Sequence, residues 1–307
     1  MNTRNKTWLD FIIIGAQKSG TTTLFKHLIE HPAIYMPQEK EAPFFSRDED
    51  YEKGWNWFLR GSFANAPQDK LWGKASPQYM CYPKVPERLA KQLPQVKLIA
   101  ILRDPIARAY SHYKMGVRRG YETRSFEECV QMELAPDALA ESRLNPSRTN
   151  SYIVWGEYGR MLSVYSHYFP QDQMLLLFTV DLEHNPKELM TRIYRFLCVE
   201  VLLPSNLGQR FHQGGRRQRI PIATKMARVM PVRTARALLP IGLRRRLAYW
   251  HFTFEQWNTI PDKSNEIPLT PQTLRALQKH YEADAAVLER IMQCPMPWLP
   301  FSGSKES

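Results

Sequence analysis

The sequence opens its first predicted element with the stretch Phe11-Ile12-Ile13-Ile14-Gly15-Ala16-Gln17-Lys18-Ser19-Gly20-Thr21-Thr22-Thr23. A short apolar run predicts a buried β-strand, two glycines bracket a turn, and a helix-compatible segment follows. In such a layout the backbone N–H groups of the turn and the N terminus of the helix face a bound anion. The stretch therefore predicts an anion site within an α/β fold.

The position of the lysine narrows the choice of anion. Gly15 and Gly20 have the spacing of a nucleoside-triphosphate P-loop, but Thr21 occupies the usual lysine position. A triphosphate loop needs its lysine there, beside a magnesium-binding hydroxyl. Here Lys18 lies inside the turn, nearer to the bridging oxygen of a shorter anhydride. The loop therefore predicts a diphosphate-type ligand.

Composition fits a folded chain with a sizeable core. Of 307 residues, 43% are hydrophobic, so one α/β domain or two small ones are possible. No apolar run reaches the roughly 20 residues that span a membrane, and the polar N terminus lacks a secretory pattern. The four cysteines form no C-x-x-C pair. We therefore expect a cytoplasmic protein without structural zinc or disulfides.

The positive charge of the chain is local. The net charge is +12, and ten basic residues lie between Gly214 and Arg246, a stretch without Asp or Glu. This stretch therefore contributes most of the net charge. This segment predicts a local anionic partner, such as an acidic surface or domain, an anionic membrane face or an anionic acceptor. A solvated helical face explains the same pattern equally well.

Alternating strand and helix patterns predict the fold class. Apolar strands are expected at Phe11–Ile14 and Val96–Leu102, and helices at Thr21–Glu30 and Pro271–Met292. This alternation predicts an α/β fold: a single P-loop-like domain with a central parallel β-sheet flanked by helices. We expect one domain over residues 1–307, with a basic helical segment at about 214–250 before the C-terminal helix.

A second motif follows the Val96–Leu102 strand. Arg103 lies at the predicted strand end, Asp104-Pro105 opens a helix, and Ser111 comes about two helical turns later. Open α/β folds bind ligands at this carboxyl edge of the sheet. Taken alone, the motif equally suits an ordinary helix start with its arginine in a surface ion pair.

Together, the two motifs resemble the sulfotransferase family, whose members use the donor 3′-phosphoadenosine 5′-phosphosulfate (PAPS). The resemblance lies in Gln-Lys-Ser-Gly-Thr-Thr-x-Leu and, some 80 residues later, Leu-Arg-Asp-Pro-x-x-Arg-x-x-Ser-x-Tyr. It implies that the first loop holds the 5′-phosphosulfate and that the second motif holds the 3′-phosphate. The donor-binding residues it implies are Gln17, Lys18, Ser19, Gly20, Thr21, Thr22, Arg103 and Ser111.

Further matches supply candidate catalytic residues. Lys40-Glu41-Ala42-Pro43-Phe44-Phe45 is similar to the Lys-Glu-x-x-Phe-Phe of heparan-sulfate-type and bacterial sulfotransferases, which implies that Glu41 is the base. Outside the family context, Glu41 fits a solvated charge run. Gly73-Lys74-Ala75-Ser76-Pro77 resembles a Glu-Lys-Ser/Thr-Pro segment, with Lys74 in the glutamate position. The candidate catalytic residues are therefore Glu41, Lys18 and Lys74, and the role of Lys74 is open.

The resemblance also implies a loop that closes over the 3′-phosphate. It falls at residues 212–219, where Gly215, Arg216 and Arg219 are the candidate nucleotide contacts. Residues 216–246 as a whole are the candidate surface for an anionic partner.

The implied function is sulfuryl transfer from PAPS to a hydroxyl or amine, with 3′-phosphoadenosine 5′-phosphate (PAP) as product. No metal and no nucleic acid are expected, and the acceptor can be a glycan, lipid, peptide or small metabolite. The alternatives are a P-loop kinase or NTPase, which would need magnesium and ATP, and a non-catalytic module that binds anionic ligands. The sequence does not predict the oligomeric state.

Overall fold

The fold is built on one parallel sheet. The computed structural model describes residues 6–146, 151–207, 216–218, 259–261 and 267–299. The strands of the main sheet are β1 (Phe11–Gly15), β2 (Ile34–Tyr35), β3 (Leu71–Ala75), β4 (Lys97–Leu102) and β5 (Met174–Phe178). They pair in the order β2-β3-β1-β4-β5, and every pairing is parallel. The predicted parallel sheet is confirmed.

Helices connect and cover these strands. They are α1 (Thr21–Leu28), α2 (Asp48–Tyr51), α3 (Trp55–Ser62), α4 (Val85–Gln92), α5 (Pro105–Arg118), α6 (Phe126–Glu133), α7 (Pro136–Leu144), α8 (Tyr158–Tyr168), α9 (Thr179–His184), α10 (Pro186–Leu197) and α11 (Pro271–Met292). The last helix has its predicted bounds. The helix predicted over Thr21–Glu30 ends two residues early, at Leu28, with Ile29 as its C-cap.

Side chains of β1 alternate between the two faces of the sheet. Phe11 and Ile13 pack with residues of α1 and α10. Ile12 and Ile14 pack on the other face, with residues of α4, α8 and α11. Gly73 of β3 makes room for this packing, because a Cβ atom there would lie 2.1 Å from the Phe11 ring. The sheet thus has a covered apolar face on each side. Its strands are parallel, so their carboxyl ends all lie at one edge.

The C-terminal helix is fastened to the body of the fold. The Asp284 carboxylate on α11 accepts hydrogen bonds from the N–H groups of Gly159 and Arg160, each at 2.8 Å. These N–H groups belong to the first turn of α8 and lack partners inside that helix. Gly159 lets the two helices approach, since a Cβ atom there would lie 2.1 Å from the Asp284 carbonyl oxygen. Residues on α11 therefore complete the N terminus of α8.

A second, two-stranded sheet pairs β6 (Arg216–Gln218) with β7 (Thr259–Pro261) antiparallel. These three residues of the basic segment form a strand. The rest of the predicted basic helical segment lies outside the described residues, so its helical character stays a prediction. Within the described ranges, no helix combines the length and the apolar character needed to cross a lipid bilayer.

Candidate active site

Four chain segments converge at the carboxyl edge of the sheet. Because the strands are parallel, the residues that follow β1, β3, β4 and β5 lie along one edge. The first residues after these strands are Ala16, Ser76, Arg103 and Thr179. The Arg103 position at the end of β4 was predicted. Thr179, which directly follows β5, was not predicted as a site residue.

The loop between β1 and α1, residues 16–20, is called the anion loop. Gly20 is the N-cap of α1, with φ at 101°, and no side chain caps the helix. The first-turn N–H groups of α1 are therefore available to a ligand, and the helix dipole makes this end positive. Lys18 also has a positive φ, 74°, which turns its side chain within the loop. The predicted strand, loop and helix layout is confirmed.

Two side chains hold the anion loop from neighbouring strand ends. Arg103 Nη1 donates to the Lys18 carbonyl oxygen at 3.4 Å. The Thr179 hydroxyl lies 2.7 Å from the carbonyl oxygen of Ser19 and 3.0 Å from that of Leu102. These contacts use main-chain atoms of the loop. Arg103 is thus in direct contact with the anion loop, as its predicted neighbourhood requires.

The electrostatic surroundings of Lys18 favour a polyanion. Burial lowers the pKa of the Lys18 ammonium to about 8, and nearby guanidinium groups add to this effect. In order of effect, these guanidiniums belong to Arg118, Arg119, Arg103 and Arg108. Several fixed positive charges around one ammonium destabilise its charged form, and an anion bound among them relieves that cost. Arg118 and Arg119 were missed as candidates because they lie at the far end of α5 in the sequence.

A second loop, residues 39–42, contacts the first residue of α1 and is called the carboxylate loop. Lys40 Nζ donates to the Thr21 hydroxyl at 3.3 Å and lies 3.5 Å from Glu41 Oε1. The Glu41 side chain is 37% exposed, so its carboxylate is accessible from solvent. Lys40 therefore links Glu41 to the first turn of α1, and the role of Glu41 as a base stays a prediction.

Side chains at the end of β3 fasten the carboxylate loop by its main chain. Lys74 Nζ donates to the Glu39 carbonyl oxygen at 2.6 Å. The Ala42 carbonyl oxygen accepts from the hydroxyls of Ser76, at 3.1 Å, and Tyr79, at 2.6 Å. Lys74 is buried, and burial lowers the pKa of its ammonium to about 8. Lys74 is thus bonded to a main-chain carbonyl of the carboxylate loop, and its catalytic role stays a prediction.

We expect the Tyr79 hydroxyl to stabilise the fold. Tyr79→Phe removes a short, fully buried hydrogen bond to Ala42 without opening a cavity, and should lower the free energy of unfolding by about 1–2 kcal/mol. Tyr194→Phe is the matched control, because the Tyr194 hydroxyl is equally buried and has no hydrogen-bond partner within the described part of the chain. Urea unfolding of both variants measures the difference, and equal losses would contradict this role.

The helix after Arg103 forms as predicted. Asp104 Oδ1 accepts from the Ala107 N–H at 2.7 Å, so Asp104 caps α5, and Pro105 is its first residue. Arg108 is fully buried and donates to the Tyr152 carbonyl oxygen, which gives it a packing role. Ser111 lies in the same helix with 8% of its surface exposed. Its predicted contact with a 3′-phosphate stays a prediction.

One cleft lies at the ends of β4 and β5, and another lies between helices α7, α8 and α11. A cleft of about 200 Å³ opens beside Arg103 at the ends of β4 and β5. It is lined by Leu102, Arg103, Asp104, Phe178, Thr179, Val180, Glu183, Pro297 and Trp298. A larger cleft of about 570 Å³ between α7, α8 and α11 contains no predicted site residue. Its buried Glu157 carboxylate pairs with Arg143 and Arg160, so we assign that cluster to packing of the helices.

Comparison with known proteins shows to which family this chain belongs. The sequence model of the sulfotransferase domain matches residues 9–206. The chain therefore belongs to the sulfotransferase family. A human relative, the bifunctional heparan sulfate N-deacetylase/N-sulfotransferase 3, is 34% identical over 203 residues, which are 62% of this chain and 22% of that protein. The mouse heparan sulfate glucosamine 3-O-sulfotransferase 5 is 32% identical over 165 residues, 53% of this chain and 45% of that enzyme.

A solved structure shares the architecture of this sulfotransferase. The crystal structure of a sulfotransferase from Alicyclobacillus acidocaldarius superposes with a TM-score of 0.65 at 23% identity, covering 94% of this chain and 97% of that one. The likeness confirms the predicted fold class. The chain spans about a fifth of the length of the human relative.

Membership in the family confirms the resemblance found in the sequence and favours a sulfotransferase over a P-loop kinase. The residues present fit the donor PAPS. The Ser19 hydroxyl is fully buried at the anion loop and interacts with the Tyr158 hydroxyl. Together with the uncapped N terminus of α1, it offers donors to phosphosulfate oxygens. Among the described residues, no group of His, Cys, Asp and Glu is arranged to hold a metal ion.

The structure brings together most of the predicted site residues. The anion loop carries Gln17 to Gly20, and Thr21 and Thr22 form the first turn of α1. Arg103 contacts this loop, Lys40 joins Glu41 to Thr21, and Lys74 bonds to the main chain of the carboxylate loop. Arg216 begins β6, whereas Gly215 and Arg219 lie outside the described residues. The roles of these three residues stay predictions.

Proposed function

We propose that this chain transfers a sulfuryl group from PAPS to a hydroxyl or amine of a glycan acceptor, with Glu41 as the base. The observation that supports it most is the contact between the two loops. Lys40 joins Thr21 of the donor-side helix, and the adjacent Glu41 carboxylate lies within 3.5 Å of the same ammonium. A proton acceptor beside a phosphosulfate loop is what transfer to an O–H or N–H group requires.

Different residues are proposed to bind the different parts of the donor. We assign the 5′-phosphosulfate to Lys18, to Ser19 and to the first-turn N–H groups of α1, and the 3′-phosphate to Arg103 and Ser111. The cleft beside Arg103 suits the nucleoside, because Trp298 and Phe178 form an edge-to-face ring pair there, with centroids 5.5 Å apart. Arginine offers the bidentate geometry that a phosphate favours.

The reaction exchanges one bond for another. PAPS supplies the sulfuryl group and departs as PAP. Glu41 takes the proton of the acceptor hydroxyl or amine while the acceptor oxygen or nitrogen bonds to sulfur and the sulfur–oxygen bond to the phosphate breaks. Lys18 and the N–H groups of α1 stabilise the charge that grows on the departing phosphate oxygen. Catalysis of this kind consists mainly of positioning and preorganised electrostatics.

A glycan is the acceptor that the relatives support. Both relatives described above carry heparan sulfate in their names, one as an N-sulfotransferase and one as a 3-O-sulfotransferase. An anionic glycan also suits the ten basic residues between Gly214 and Arg246, and we propose this segment as its contact. A cytoplasmic location stays a prediction from the sequence.

Calorimetric titration with PAP and with ATP–Mg²⁺ tests the donor. We expect PAP to bind at least about 100-fold more tightly than ATP–Mg²⁺, because Lys18 lies inside the turn and Thr21 replaces the lysine that a triphosphate needs. Magnesium should leave the affinity for PAP unchanged. Preference for ATP–Mg²⁺ would contradict the proposed donor.

Acceptor class is tested with radiolabelled PAPS and four substrate sets: desulfated and N-deacetylated heparan, a lipid extract, a peptide library and small hydroxylated metabolites. The proposal expects label in the glycan fraction, and mass spectrometry of the product then separates N- from O-sulfation. Labelling confined to another fraction would refute the glycan assignment and leave the sulfotransferase assignment intact.

A further inference from the structure

We propose that Tyr158 is a positioning residue that sets the spacing between the two phosphate sites of the donor, and so determines the preference for a 3′,5′-bisphosphate over a nucleoside monophosphate. This inference rests on the proposed function, in which the anion loop binds the 5′ group and Arg103 binds the 3′-phosphate. The Tyr158 hydroxyl interacts with the Ser19 side chain of the anion loop and with the main-chain N–H of Arg103. One hydroxyl therefore connects the two halves of the proposed donor site.

The Tyr158 hydroxyl lies where solvent does not compete for these contacts. Tyr158 is 1% exposed, and Ser19 is fully buried. Burial raises the pKa of Tyr158 to about 12, so the hydroxyl is uncharged at physiological pH. A neutral phenol both accepts and donates a hydrogen bond. Because the Arg103 N–H can only donate, Tyr158 accepts from Arg103 and keeps its own proton for Ser19.

Two other contacts join the anion loop to the end of β4. The Thr179 hydroxyl lies between the carbonyl oxygens of Ser19 and Leu102, and Arg103 Nη1 donates to the Lys18 carbonyl. Both contacts use main-chain oxygens of the loop. Tyr158 instead holds the loop by the Ser19 side chain, and it approaches from α8, whereas Thr179 begins α9. The loop is therefore fixed relative to β4 from two different helices.

The position of Tyr158 is itself fixed by the C-terminal part of the chain. Asp284 on α11 bonds to the N–H groups of the two residues that follow Tyr158, each at 2.8 Å. The Tyr158 ring meets the Trp298 ring edge-to-face, with centroids 6.1 Å apart, and Trp298 lines the cleft beside Arg103. Asp284 and Trp298 lie outside residues 9–206, which match the sulfotransferase model. Residues beyond the matched part thus help to set the geometry of the donor site.

A fixed spacing between two anion sites favours a ligand with two phosphates. When one phosphate is bound, the second is present at a high effective concentration, but it adds affinity only if its site lies at the matching distance. Sites held in place before binding also avoid the entropy cost of ordering the loop. A monophosphate occupies one site, so its affinity depends little on the spacing. Loss of the Tyr158 hydroxyl should therefore weaken PAP more than either monophosphate.

Calorimetry of Tyr158→Phe with PAP, adenosine 5′-monophosphate and adenosine 3′-monophosphate tests this role. The variant keeps the ring beside Trp298 and removes only the hydroxyl. We expect the Kd of PAP to rise about tenfold, and the Kd of each monophosphate to change by less than about threefold. In a Ser19→Ala background the same substitution should change the Kd of PAP by less than about twofold, because the partner of the hydroxyl is already absent.

Tyr281→Phe is the matched control. The Tyr281 hydroxyl is equally buried and donates to the Ile153 carbonyl oxygen at 2.8 Å, so its loss should leave all three Kd values unchanged. If Tyr158→Phe weakens the three ligands by the same factor, or leaves the Kd of PAP within about twofold of the unmodified protein, the spacing role is refuted and the proposed function stands. Failure of the unmodified protein to bind PAP would overturn the proposed function itself.

Discussion

Lys18→Ala is expected to lower kcat by about 10²–10³-fold while the protein stays folded. Lys18 is the cation of the anion loop, and in the proposed function its ammonium stabilises the charge that grows on the departing phosphate. The loop itself is held by main-chain contacts from Arg103 and Thr179 to the Lys18 and Ser19 carbonyls. Removal of the side chain should therefore leave the loop in position. Turnover of radiolabelled PAPS and thermal unfolding measure the two effects.

The protonation state of Lys18 should make the affinity for PAP depend on pH. Burial and the neighbouring arginines lower the pKa of Lys18 to about 8 in the protein without ligand. The ammonium is therefore charged below that pH and loses its charge as the pH rises through it. We expect the affinity for PAP to fall above about pH 8 in the unmodified protein. This fall should be absent from Lys18→Ala, which has no proton to lose.

Lys74 provides the control for this titration, because burial also lowers the pKa of Lys74 to about 8. Its ammonium is bonded to the Glu39 carbonyl and supports the carboxylate loop. If the alkaline fall in PAP affinity survives in Lys18→Ala and disappears in Lys74→Met, the titrating group is Lys74. Near-normal turnover of Lys18→Ala with PAPS would contradict the assignment of Lys18 altogether.

Glu41→Gln is expected to bind PAP normally and to lose about 10²–10⁴-fold in kcat. The substitution keeps the shape of the side chain and removes its capacity to accept a proton. Donor binding should be unaffected, because the substitution leaves the Lys40–Thr21 contact on the donor side in place. Calorimetry with PAP and a single-turnover assay with PAPS and acceptor separate binding from transfer.

Glu39→Gln is the matched control for this variant. Glu39 lies two residues away, its side chain is exposed, and its interaction with Lys74 uses the main-chain carbonyl, which the substitution leaves in place. It should retain most of kcat. Similar losses in both variants would show that negative charge in the loop matters in general, and full activity of Glu41→Gln would exclude Glu41 as the base.

Much of the fold and part of the site followed from local sequence signals. The apolar run before Gly15, the displaced Lys18 and the Asp104-Pro105 helix start each depend on residues adjacent in the chain, and each is found where the sequence placed it. Parallel pairing then brings the strand ends to one edge. For this reason Arg103 could be placed near the anion loop before its contact with the Lys18 carbonyl was known.

Other features depend on contacts between distant segments, which a single sequence does not encode in a readable way. Thr179 bonds to carbonyls of Ser19 and Leu102, which are far from it along the chain. The bond between Lys74 and the Glu39 carbonyl likewise joins two segments whose proximity follows from the packing of β3. The local charge run around Lys40 gave no sign that Lys40 contacts Thr21.

The way in which the carboxylate loop is anchored has a consequence for the evolution of position 41, which holds the proposed base. Lys74, Ser76 and Tyr79 bond to main-chain atoms of Glu39 and Ala42, which every amino acid possesses. Replacement of the residue at position 41 therefore leaves these hydrogen bonds intact, so the side chain that accepts the proton can change without loss of the loop structure. Saturation mutagenesis of position 41 should yield folded proteins throughout, so this loop is a natural starting point for directed evolution toward acceptors of different acidity.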